Sequence, residues 1–147
     1  MIGMKKILPC LLLACTLASC GEDSDEKVAQ TAADWGDAYF NCDFRRALSL
    51  STGESERWLR FAASNTTQAE LDLLNDRPAE VVADHVSDGD TLRIVTLQVT
   101  NYVKPVPLGA QPVRCDEGRF TLTVVKRDGE WKVRMADLPR NERQSRD

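Results

Sequence analysis

Few residues in this chain combine the type and spacing that chemistry requires. It contains five cysteines, one histidine and two tyrosines. General acid–base work needs a group of tuned pKa within direct reach of its substrate. Tyr39, Asp84, His85 and Tyr102 are the candidates, and none falls into a spaced catalytic set. His85 and Asp84 are adjacent in a β-favouring stretch, so strand alternation sends them to opposite faces. A lone histidine on a sheet reads as structural or exposed, and Asp84 as solvated. Tyr39 and Tyr102 read as amphipathic packing residues with the hydroxyl at a polar edge. No phosphate loop, dinucleotide fingerprint or serine elbow is present. No catalytic residue is assigned, no cofactor is implied, and an enzyme is the less favoured class.

The most specific chemical signal is a thiol near the start. Lys5 and Lys6 open a positive segment, and Ile7 to Leu17 is an apolar run of h-region length, too short to span a bilayer as a stable helix. It ends in Leu17-Ala18-Ser19-Cys20. This pattern resembles the lipobox of bacterial lipoproteins. The resemblance implies lipid on the Cys20 thiol, cleavage before Cys20 and acylation of the new amino terminus. The competing reading is an ordinary cleaved signal with an incidental cysteine. Cys15 fits less well, because Leu13 stands where a small residue is usual. Several acyl chains hold a protein far more firmly than the single chain that gives marginal binding. Gly21 in place of Asp implies sorting to the outer membrane, at its periplasmic face or the cell surface. Glu22, Asp23, Asp25 and Glu26 read as a solvated, self-repelling linker over residues 20–27. The same cluster also looks like the surface-export signals of some Gram-negative groups.

Loss of residues 1–19 leaves 128 of the 147 residues, enough for one domain with its own core. Lys5 and Lys6 leave with the signal, so the net charge goes from −4 to −6. That balance argues against a nucleic-acid surface, which needs concentrated positive charge. Cys10 and Cys15 leave as well. With Cys20 lipidated, Cys42 and Cys115 remain, in an oxidising compartment where disulfides persist. A Cys42–Cys115 bridge is expected, worth about 4 kcal/mol through closure of a long loop. The alternative is two separate buried thiols. With one histidine beside them, no zinc site is expected.

The elements that must position these residues can be read in order. Val28, Ala32, Trp35 and Tyr39 recur on one face of a helix. Asn41-Cys42-Asp43 breaks it, and Asp43 is placed to cap a new turn carrying Phe44, Ala47 and Leu48. A short helix over 54–64 shows Trp58, Phe61 and Ala62 on one side. Thr67 and Glu70 have capping-box spacing and start another helix, which Pro78 ends. From Ala79 the period becomes that of strands. Expected strands are Glu80–Val86, Leu92–Val103, a stretch around Phe120–Val125 and one around Trp131–Met135. Asp128-Gly129 supplies the last hairpin turn. Residues 104–117 read as a proline-rich loop, and 139–147 as a flexible tail. Helices followed by antiparallel strands give an α+β fold.

Two stretches resemble a known family. They are Asn41-Cys42-Asp43-Phe44-Arg45-Arg46-Ala47-Leu48, after a helix, and Asp128-Gly129-Glu130-Trp131-Lys132-Val133, near the end. Both are similar to small lipoproteins with a nuclear-transport-factor-2-like, cystatin-like domain, here over residues 28–138. The resemblance implies a curved antiparallel sheet wrapped around a long helix, often with a cone-shaped cavity. Trp35, Tyr39 and Tyr102 are the candidate pocket residues, although Trp35 is most simply core. The expected function is a membrane-anchored envelope lipoprotein with a non-catalytic binding or docking domain, monomeric or homodimeric. Its partner is an envelope protein or, alternatively, a small apolar ligand carried in the cone. A cone-fold isomerase or dehydratase is the third reading.

Overall fold

The structure is a computed structural model that describes residues 20–104, 106–107 and 109–142. The signal sequence and Leu17, Ala18 and Ser19 of the lipobox lie outside the described residues, as do the last five residues of the chain.

Helix α1 runs Cys20–Phe40, α2 Phe44–Ser49, α3 Glu56–Asn65 and α4 Gln68–Asp76, with a 3-10 turn at Gly53–Ser55 before α3. Strands β1 (Glu80–Val86), β2 (Leu92–Lys104), β3 (Val113–Arg127) and β4 (Glu130–Arg134) follow. They form one antiparallel sheet in chain order. The expected α+β class is what the chain adopts, with the helices packed on one face of an open sheet.

The face of α1 predicted from its periodicity is the buried one. Val28, Ala32 and Trp35 are fully buried, and α1 lies across all four strands. It meets the inward row of the sheet: Val95, Leu97 and Val99 from β2, Phe120, Leu122 and Val124 from β3, and Val133 from β4. Gly36 permits the close approach, since a Cβ there would stand 2.7 Å from Leu97 Cδ1 and 2.8 Å from Val81 Cγ1. The Trp35 indole N–H donates to Ser51 Oγ at 2.8 Å, and that hydroxyl donates to Ala47 O at 2.6 Å. One relay thus joins α1, α2 and the segment beside β4. There Thr52 N–H donates to Val133 O and Val133 N–H to Leu50 O, which covers the edge that β4 would otherwise leave unpaired.

Local signals act as their chemistry predicts. Asp43 accepts from Arg46 N–H and caps α2. Thr67 and Glu70 form both arms of a capping box on α4. Asp128 (φ 52°) and Gly129 (φ 79°) both take left-handed conformations, as a two-residue type I′ hairpin turn demands.

Three stretches depart from expectation. The acidic stretch over 20–27 is the first part of α1 rather than an extended linker. Asp25 pairs there with the buried guanidinium of Arg93, which also donates to Gly89 O. Residues 113–117 belong to β3, so the proline-rich loop is shorter than expected. The chain after β4 folds back, with Asn141 bridging Phe120 in β3 and donating to the Tyr102 hydroxyl at 3.0 Å.

Candidate functional site

A cavity of about 370 Å3 lies at the end of the domain where α1 stops. It is largely aromatic. Tyr39, Phe40 and Phe44 reach it from the α1–α2 corner, Phe61 from α3, and Tyr102 and Phe120 from the sheet. All of these rings except Phe61 form one connected set. Phe40 and Phe120 have centroids 4.6 Å apart, Tyr102 meets Phe120 edge-on at 5.2 Å, and Tyr39 meets Phe40 edge-on at 5.1 Å. Leu74 of α4 and Leu138 of the returning chain add aliphatic surface.

Of the candidate pocket residues, Tyr39 and Tyr102 line this cavity. Trp35 does not; it is core beneath Tyr39, with the two rings stacked at 4.8 Å. Phe61, on the same side of α3 as Ala62, also lines the cavity and is 54% exposed.

The conformation at the end of α1 places a thiol in this site. Asp43 N–H bonds to Ala38 O and Cys42 N–H to Tyr39 O, the Schellman pattern that terminates a helix. The pattern needs a left-handed residue, and Cys42 supplies it at φ 62° where glycine is usual. Its side chain hydrogen-bonds with Thr66, in the α3–α4 junction, and feels the Glu70 carboxylate. Asn41 anchors the same corner to the sheet. Its carboxamide accepts from Ala79 N–H at 2.8 Å and donates to Ala79 O at 3.0 Å.

The expected Cys42–Cys115 disulfide is corrected here: both are free, half-buried thiols. Cys42 is turned toward Thr66 and Glu70, whereas Cys115 lies on β3 in register with the buried Tyr102. Each thiol has its own packing environment.

Burial pushes the Cys42 thiol above its ordinary value, and the nearby Glu70 charge adds to this against the opposing Thr66 hydrogen bond. Burial also raises Tyr39, with Cys42 contributing. Both groups are therefore held protonated in the folded state. The unfolded chain releases these protons from about pH 8.5 (Cys) and pH 10 (Tyr), so it binds fewer protons there than the folded chain and stability falls as pH rises. The urea midpoint is expected to be level from pH 7 to 8 and to decline from about pH 9 upward. Tyr39→Phe should flatten the decline above about pH 10. An identical alkaline slope in wild type and Tyr39→Phe would contradict burial of the phenol.

Asp84 and His85 lie elsewhere. The β1–β2 register shifts between Ala83 and His85, and this bulge breaks the expected alternation. Both side chains are exposed, and Asp84 pairs with Arg119 at 3.1 Å. Neither lines the cavity.

Sequence reasoning missed Phe44, Phe61, Glu70 and Phe120 as site residues. Glu70 carried a legible signal, the capping box, but that spacing reports its bond to the helix start and not what its other oxygen faces. Among the described residues, no group of three or more His, Cys, Asp or Glu is placed to hold a metal, and no helix is long and apolar enough to cross a membrane. The chain matches no protein-family model and no curated protein.

Proposed function

We propose that this chain is an envelope lipoprotein, tethered through lipid on Cys20, whose nuclear-transport-factor-2-like domain binds a small apolar ligand. The observation that carries this reading is the aromatic-walled cavity of about 370 Å3, within the roughly 300–1,000 Å3 usual for small-molecule sites. A filled core would have favoured a pure docking module. The outer sheet face gives docking weaker support. Val82, Leu92 and Ile94 are exposed, but Val82 and Ile94 face the polar Gln98 and Thr123 across the strands. The protonated state imposed on Cys42 also favours binding over nucleophilic chemistry, because the thiolate is the reactive form.

The tether and the cavity belong to opposite ends of α1. Its 21 residues span about 30 Å at 1.5 Å per residue. Lipid on Cys20 would leave the cavity about one helix length from the anchor, so the ligand would reach it through aqueous space or from another protein.

Native mass spectrometry of the mature protein, recovered from its own envelope, tests the reading. A bound mass that leaves on unfolding is expected, together with its loss in Ala62→Phe, where a ring from α3 fills the cavity. Bare protein in both forms would set the ligand reading aside and leave envelope-protein docking.

A further inference from the structure

The cavity holds one feature that an apolar ligand alone does not explain. Glu70 borders it, yet the residue is only 7% exposed. Oε2 accepts from Thr67 N–H at 3.0 Å in the capping box. Among the described residues no other hydrogen bond reaches the carboxylate, and no lysine or arginine pairs with it. Capping does not require this burial, since a capping glutamate is equally served in water. A carboxylate withdrawn from water without a cation is costly.

The surroundings are those that suit a cation. Six aromatic rings, Tyr39, Phe40, Phe44, Phe61, Tyr102 and Phe120, line the same space. Ring faces attract a desolvated organic cation. The two basic residues that also line it, Lys104 and Arg140, are exposed, and Arg140 is engaged by Asp137 at 2.8 Å. With its signal removed, the chain is itself acidic.

We infer that the ligand is a small organic ammonium, its positive group beside Glu70 and its apolar body against the aromatic walls. This inference rests on the cavity being a ligand site and adds the charge of what it takes.

The test compares phenyltrimethylammonium with its uncharged isostere tert-butylbenzene, on the mature lipidated protein in dodecyl maltoside micelles, whose headgroups carry no ammonium, with empty micelles as the blank. The ammonium is expected to bind at least tenfold more tightly. Glu70→Gln should remove that preference and leave the hydrocarbon affinity within about twofold. Glutamine keeps the capping box, and an unchanged melting temperature confirms that the fold is kept. Equal affinity of the two probes, or ammonium binding indifferent to Glu70→Gln, overturns the ammonium assignment while the apolar-ligand reading stands. Binding of neither probe overturns both.

Discussion

Trp35→Ala should leave the domain close to unfolding at room temperature. Trp35 is fully buried in the C-terminal part of α1, and its ring stacks on Tyr39 with an interplanar angle of 7°. Truncating a buried tryptophan to alanine costs about 3–5 kcal/mol in lost transfer energy and residual cavity. Whole domains are stable by only about 5–15 kcal/mol. The substitution also removes the donor to Ser51, and with it the link from α1 to the segment that covers the β4 edge. Trp35→Phe separates the two effects. It keeps most of the ring and loses the indole hydrogen bond, for about 1–2 kcal/mol. Urea unfolding followed by far-ultraviolet circular dichroism measures both. A loss below about 1 kcal/mol for Trp35→Ala would mean that the helix does not depend on this contact. In Trp35→Ala, Tyr39 should lose its stacking partner, so the cavity wall is coupled to the same residue.

Cys20→Ala should move the protein from the membrane fraction to the soluble fraction. The expectation rests on the order of charge, apolar run, small residues and cysteine, which resembles a lipobox. Three acyl chains on Cys20 and its amino group would add about 0.8 kcal/mol per buried methylene. Among the described residues no helix can substitute as a membrane span. The fold should survive, because the fully buried row Val28, Ala32 and Trp35 begins two turns after Cys20. Fractionation and a melting curve on the same preparation read both outcomes. Unchanged membrane association would refute the anchor, and a lowered melting temperature would show that Cys20 also stabilises α1.

The two variants probe different layers of the molecule, and the layers were unequally legible. Elements with a local cause were readable from the chain. The i, i+4, i+7, i+11 row of Val28, Ala32, Trp35 and Tyr39 is a helix face because 3.6 residues complete a turn. Asp43, Thr67 with Glu70, and Asp128-Gly129 act through bonds within four residues, so their spacing carries the whole mechanism. The alternation in Phe120, Leu122 and Val124 likewise needed only the period of a strand.

Features set by long-range contacts were not. The acidic start of α1 reads as a linker because its partner, Arg93, is 68 residues away, on a strand whose neighbours are apolar. Alternation along β2 changes phase after Val99, since Asn101 is left-handed at φ 58° and Tyr102 turns inward. No residue pattern announces that turn. Cys42 and Cys115 form a plausible pair by compartment and count, but disulfide geometry depends on where two side chains point. The returning chain at Asn141 looks frayed until β3 is there to meet it.

The chain by itself therefore determined the helix faces, the caps, the hairpin turn and the α+β class, each a matter of short-range chemistry. The tertiary structure alone decided that two thiols stay apart, that Asp84 and His85 lie outside the cavity, and that Glu70 borders an aromatic hollow. A hollow is where packing stops short, and which side chains surround it is settled only when all the elements have come together.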